Sequence, residues 1–180
     1  FSRDLFVLLF LLRGMPFVDL AFLRRCDLQG NVITYHRRKT SRKLTVVVGK
    51  EAMEIIQKYM YANPDSPYLF PIIQNPGKDE YGQYARMLRL QNYRLTQVAH
   101  ILGIRDRLST YTARHTWATT ALRQNYNSSL ICDAMGHSSV KVTETYFQPY
   151  RDDEVNRMNS SLITYILSKK KKGADKNLRS

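Results

Sequence analysis

Only one stretch of this chain reads as a pair of β-strands, and it fixes the kind of fold available. Residues 32–39 (VITYHRRK) and 44–48 (LTVVV) are rich in β-branched side chains and flank Thr40–Ser41–Arg42–Lys43, the pattern of a hairpin. Most of the remaining chain repeats at helical spacing. Residues 3–12 (RDLFVLLFLL) predict a buried helix stopped by Gly14 and Pro16, and Pro16 opens a second helix through Asp19, Leu20 and Leu23. A turn at residues 27–31 leads into the hairpin. Helical patterns follow at 51–61, 84–102, 110–122 and 129–135, and Ser138–Ser139 predicts the cap of a further helix leading to Tyr146. Residues 152–168 predict a last amphipathic helix with Val155, Met158, Leu162 and Ile166 on one side. Residues 63–82 hold four prolines and two glycines and predict loop, with an extended piece at 68–70. The expected class is mixed α+β, mainly α, with one small antiparallel sheet.

Size and charge narrow the function. At 180 residues, 43% hydrophobic and 24% charged, the chain has the composition of a folded domain of ordinary size. Its net charge is +13, and the last twelve residues, with six positives and one negative, leave +8 on the rest. Such an excess points to a polyanion, nucleic acid first. Cys26 and Cys132 lie far apart without C-x-x-C spacing, which argues against a disulfide scaffold or zinc knuckle and fits a reducing, cytoplasmic compartment. Cys132, beside Leu130 and Ile131, is expected to pack. The longest apolar run, residues 5–12, is too short to span a bilayer and lacks the flanks of a signal peptide, so no membrane partner is expected. Phe1 is not a natural start residue, and an upstream part is expected to be missing. The four histidines lack i,i+4 pairing, and neither a carboxylate cluster nor a glycine-rich phosphate loop occurs, so no metal and no cofactor is expected.

Two stretches carry chemistry. Residues 110–121 (TYTARHTWATTA) place Arg114 and His115 on a helix followed by Trp117, and residues 134–146 (AMGHSSVKVTETY) place His137 just after Gly136 with Tyr146 nine residues on. Together they resemble the catalytic domain of the tyrosine recombinase (phage integrase) family. That family's pattern is His-x-x-Arg-His and an aromatic, then Leu-Gly-His-Ser-Ser and Thr-x-x-Tyr. Gly136, His137, Ser138, Ser139, Thr143 and Tyr146 match its order without a gap. Residues 14–23 lie over the family's Gly-x-Arg-x-x-Glu-Leu-x-x-Leu, and Lys39 stands where the hairpin lysine belongs. The flavour of residues 13–24 also resembles integrases of Bacteroides-type mobile elements. The resemblance implies the catalytic fold of DNA breaking–rejoining enzymes over residues 1–168 and a core-binding domain ahead of Phe1, while the lysine run at 169–172 predicts a basic disordered arm at 169–180.

The chain departs from the family twice. Pro16 occupies the place of the first arginine, and Tyr111 that of the first histidine. Arg37, two residues before Lys39 and so on the same face of a strand, is the expected substitute for the arginine; Arg13 is the other candidate, although Gly14 breaks the helix between it and Pro16. Tyr111 can donate to a phosphate oxygen, but a phenol of pKa near 10 is a poor base at neutral pH.

What the resemblance implies is site-specific DNA recombination. Tyr146 attacks the scissile phosphate and holds a 3′-phosphotyrosyl bond, with Tyr150 as rival nucleophile. Arg114 and Arg37 bind the non-bridging oxygens, Lys39 protonates the departing 5′ oxygen, and His137 bonds the phosphate and assists proton transfer. Arg24, Arg25, Arg42 and Lys43 are expected either to contact DNA backbone or to form a solvated face. His115 is expected to support or pack, His36 to face solvent, His100 to be satisfied in its helix, and Trp117 to lie in the core. The implied partners are double-stranded DNA attachment sites, sister protomers in a DNA-bound homotetramer and a host DNA-bending protein, in the bacterial cytoplasm at the nucleoid. The helix at 152–168 either closes its own core or docks on a neighbouring protomer. Two other functions stay open: a type IB topoisomerase or telomere resolvase on the same fold, and a DNA-binding regulator that has lost catalysis. Pro16 and Tyr111 favour the regulator; the retained Tyr146, His137, Arg114 and Lys39 oppose it.

Overall fold

A computed structural model describes residues 1–145, 152, 153 and 156–165. It divides into two units, Phe1–Phe147 and Gln148–Ser180. In the second, the described residues are helical and exposed, within the helix expected at 152–168. The basic run at 169–172, Tyr146 and Tyr150 lie outside the described residues.

The first unit is built around α1 (Ser2–Leu11), which packs against the helices Lys50–Ala62, Glu80–Ile101 and Thr110–Arg123. Leu5, Leu8, Leu9 and Leu12 recur on one stripe and are fully buried, each worth about 1.5–3 kcal/mol of transfer out of water. Asp4 on the same helix is buried because it accepts hydrogen bonds from Lys58 Nζ (2.7 Å) and Tyr59 Oη (2.6 Å), which tie α1 to α3 (Lys50–Ala62). These two bonds hold its carboxyl below the usual range.

After α1 the chain turns through Arg13 and Gly14, both at positive φ. A Cβ on Gly14 would stand 3.1 Å from the Arg114 backbone, so this crossing requires glycine. The next helix, α2 (Phe17–Ala21), stops short of Leu23 because residues 23–25 pair instead with the extended piece near Tyr68. There Leu69 N–H donates to Leu23 O and Arg25 N–H to Pro67 O, both at 2.9 Å.

The sheet has three antiparallel strands, β1 (Leu28–Gln29), β2 (Val32–His36) and β3 (Lys43–Val47), in that order. Ile33 and Tyr35 on β2 and Val46 on β3 face the core, with Ile33 opposite Val46. β2 is shorter than expected, and β3 keeps its expected length but starts one residue earlier. β2 ends at His36, which pairs with Lys43, and the turn spans residues 37–42, with Ser41 at φ +53°.

Beyond α3, α4 (Glu80–Ile101) starts four residues earlier than the pattern from Tyr84 suggests. Asp79 accepts from Gly82 N–H, and the Gln83 side chain bonds the backbone of Gln74, Asn75 and Lys78, folding the proline-rich loop onto the helix. Then come α5 (Thr110–Arg123), α6 (Ser128–Met135) and α7 (Val140–Glu144). Ser139 flanks α7 without a side-chain cap bond. Trp117, expected in the core, is half-buried over a satellite cluster of Ala118, Ile131 and Met135. His100 is exposed in the last turn of α4. No helix among the described residues is long and apolar enough to cross a membrane.

Candidate active site

The site forms where the C-terminus of α6 meets the hairpin and α5. Helix α6 ends in a Schellman motif: Gly136 at φ +64° donates to Asp133 O, and His137 N–H donates to Cys132 O at 3.0 Å. This closure fixes His137 and turns the carbonyls of Met135, Gly136 and His137 toward the hairpin. A Cβ on Gly136 would stand 2.7 Å from Arg37 Cδ and 2.8 Å from Leu44 Cδ1, so glycine is required for both its φ and its neighbours.

Two buried arginines take the first two of those carbonyls. Arg37 Nη1 donates to Gly136 O at 2.7 Å and Met135 O at 3.2 Å; Arg114 Nη2 donates to Met135 O at 2.9 Å and Arg114 Nη1 to Gly14 O at 2.6 Å. Positive charge is favourable at a helix C-terminus, which compensates in part for burying two guanidinium groups. The Arg37 Nε lies 3.4 Å from Asp19 Oδ2, an ion contact too poorly aligned to be a hydrogen bond. Burial raises the Asp19 carboxyl above its ordinary value, against the pull of the Arg38 N–H that donates to its other oxygen and of Arg37.

His137 sits between Arg114 and Thr143. Arg114 Nη2 approaches its Nε2 at 2.6 Å, and an arginine can only donate. The proton of the neutral ring is therefore on Nδ1, which faces Thr143 Oγ1 at 2.7 Å. Burial first, then the charges of Arg114, Arg37 and Lys39, push the pKa of His137 down to about 4.

Pro16, Val18, Arg37, Lys39, Thr40, Tyr111, Arg114, His137 and Ser138 line one cavity of about 250 Å³. It gathers every expected catalytic residue among the described ones. Lys39 reaches it through the turn rather than by strand alternation: the chain bends after Arg37, and Lys39 is exposed there. Tyr111 is half-exposed on the cavity wall, its ring edge-on to that of His115 with centroids 4.6 Å apart. The exposed His115 thus supports Tyr111 and not the interior. Arg13 points elsewhere; its Nη1 donates to Thr45 O at 3.2 Å. His36 is exposed and Cys132 buried, both as expected.

Of the four basic residues expected at a DNA backbone or on a solvated face, two have defined structural work. Arg25 caps α3, donating to Ser66 O (2.7 Å), Met60 O (2.5 Å) and Asn63 O (2.6 Å). Arg42 binds His137 O and Asp133. Arg24, with its guanidinium over the Tyr68 ring, and Lys43 on β3 are exposed. Asp19, Thr143 and Asp133 were not singled out as site residues from sequence. The family pattern covers the positions of Asp19 and Thr143, but their contacts lie across the fold.

The phage integrase family model matches residues 3–152. The chain belongs to the phage integrase family. A tyrosine recombinase of Pseudothermotoga lettingae is 32% identical over 60 residues, covering 33% of this chain and 21% of that protein. The solved structure of XerA recombinase matches with a TM-score of 0.62 at 20% identity, over 89% of this chain and 62% of that one. The Tn1549 transposon integrase in complex with a circular intermediate DNA matches with a TM-score of 0.65 at 19% identity, over 88% of this chain and 57% of that one. The phage integrase chain described here therefore spans less than two thirds of the length of these relatives. At these identities the solved structures show the fold, the tyrosine recombinase catalytic fold with its small antiparallel sheet.

Proposed function

We propose that this chain is the catalytic domain of a site-specific DNA recombinase, an integrase that cuts and rejoins double-stranded DNA through a 3′-phosphotyrosyl bond. The observation that carries this reading is the single cavity shared by Arg37, Lys39, Arg114, His137 and Tyr111. Two guanidinium groups, an ammonium and a phenol around one pocket suit the charge of a phosphodiester in its transition state. Tyr146, three residues after Thr143, supplies the nucleophile: its oxygen bonds to phosphorus while the bond to the 5′ oxygen breaks. Lys39 gives that oxygen its proton. His137 is neutral at pH 7, with Nε2 held by Arg114 and its proton on the side of Thr143, so it orients Arg114 in the pocket, and the phenol proton of Tyr146 passes to water. Arg37 replaces the missing first arginine. Among the described residues its Nη2 has no partner, whereas Arg13 is engaged with β3.

In this reading residues 1–168 are the catalytic domain and residues 169–180 a basic arm that adds salt-sensitive attraction to DNA. The sequence flavour of residues 13–24 assigns the protein to a Bacteroides-type mobile element. The enzyme works as a homotetramer at attachment sites on the nucleoid, with a host DNA-bending protein. An apolar groove of about 610 Å³ between α1, α5 and α6, lined by Phe10, Trp117, Tyr126, Leu130 and Ile131, suits the amphipathic helix at 152–168 of a neighbouring protomer.

Incubation with two attachment-site duplexes in EDTA, beside a supercoiled plasmid lacking the site, tests the function. Recombinant joints without relaxation of the plasmid are expected. Relaxation without site preference would establish the topoisomerase alternative. Specific binding without joints or cleavage would establish the regulator.

A further inference from the structure

Arg42 lies at the rim of the cavity and does not line it, yet it holds two atoms of the site's frame. Its Nη2 meets Asp133 Oδ1 at 2.9 Å and its Nη1 donates to His137 O at 3.2 Å. On the inner side of the same turn, Arg37 Nη1 and Thr40 Oγ1 donate to Gly136 O at 2.7 and 3.4 Å. Arg37 N–H donates to Arg42 O at 2.9 Å, so Arg37 and Arg42 close the two ends of the turn that carries Lys39. Lys39 is exposed, and among the described residues its side chain has no partner that fixes it. Its distance from His137 is therefore set by the clamp between the turn and the end of α6.

We propose that Arg42, braced by Asp133, is a positioning residue that holds Lys39 where it protonates the 5′ oxygen. This rests on the function proposed above. In the step concerned, the tyrosine hydroxyl loses its proton to water and its oxygen bonds to phosphorus, the phosphorus–O5′ bond breaks, and the Lys39 ammonium gives its proton to O5′. A positioning error of about 1 Å costs on the order of 10²-fold in such a transfer. The exposed Arg42–Asp133 pair contributes little to overall stability, so its loss acts on the turn and not on the fold.

The test compares single-turnover cleavage of two suicide duplexes by the full chain, one with an ordinary 5′-bridging oxygen and one with a 5′-bridging sulfur. A thiol of pKa about 8.5 leaves as thiolate without an acid, whereas an alkoxide needs the proton. Arg42→Ala and Asp133→Asn are expected to slow the oxygen substrate, Arg42→Ala by roughly tenfold or more, and to cleave the sulfur substrate within about threefold of the unsubstituted protein. Lys39→Ala sets the limit, with a loss of about 10²–10⁴ on oxygen alone. Equal slowing of both substrates by Arg42→Ala, with a salt slope lowered by about one, would make Arg42 a phosphate contact and overturn the proposal. No effect on either substrate would overturn it as well. If the unsubstituted protein cleaves neither, the proposed function itself fails, a distinct result.

Discussion

Arg114 Nη2 donates to His137 Nε2 at 2.6 Å, which commits the buried imidazole to its neutral form with Nδ1–H on Thr143. Two consequences are measurable. The unfolded chain binds a proton on this histidine below its ordinary pKa of 6.5, whereas the folded chain does so only below about 4. Between those values the unfolded state holds the extra proton, so stability falls as pH drops through the window and is level above it. Urea midpoints from pH 4 to 7.5 should show this slope, and His137→Asn should flatten that contribution. An unchanged slope in the variant would show that the ring does not titrate as described.

Thr143→Val keeps the shape and removes the acceptor for Nδ1–H. Leaving that buried donor unmatched should cost about 1–3 kcal/mol and slow cleavage, read from denaturation midpoints and single-turnover rates.

Arg37→Lys keeps a charge but loses the planar fork that reaches Gly136 O and the cavity together. Cleavage should fall by about 10²-fold or more, while Arg13→Ala, whose guanidinium faces β3, stays within about threefold. The reverse order would return the missing arginine's role to Arg13. Circular dichroism of both variants separates loss of chemistry from loss of fold, since Asp19 is left facing a poorer partner in Arg37→Lys.

Gly136→Ala should cost about 1–2 kcal/mol from the left-handed φ alone. It should also displace Arg37, whose Cδ is the nearest atom to the added methyl. Cleavage should therefore drop further than the loss of stability explains; cleavage preserved at a lowered melting temperature would contradict that coupling.

Leu130 is exposed on the apolar groove. Leu130→Asp should leave the melting temperature within about 2 °C, as an exposed substitution does. On attachment-site DNA it should block assembly beyond the dimer, measured by analytical ultracentrifugation. Normal tetramers would remove the groove from the assembly.

Local signals made most of the fold legible in the sequence. The leucine stripe of α1, the β-branched runs of β2 and β3 and the Gly136 stop of α6 all act within a few residues. The start of α4 was not, because Gln83 folds a proline-rich loop back on the helix by bonds that no periodicity announces. The residues of the candidate site around Arg114 and His137 were legible through the family pattern. The frame around it was not: Arg42 and Asp133 are 91 positions apart, and Arg25 meets the end of α3 across 35 to 41 positions. Such side chains read as surface charge until the fold brings their partners in. The family pattern points to Lys39, but the strand alternation that puts Arg37 on its face does not apply, since β2 ends at His36 and a turn delivers Lys39.

The most direct measurement is covalent trapping on a nicked suicide duplex of the attachment site, in EDTA, followed on a denaturing gel. The account predicts a protein–DNA band that is absent in Tyr146→Phe and retained in Tyr150→Phe. Bound duplex with no covalent band, or a band that survives Tyr146→Phe, would contradict it.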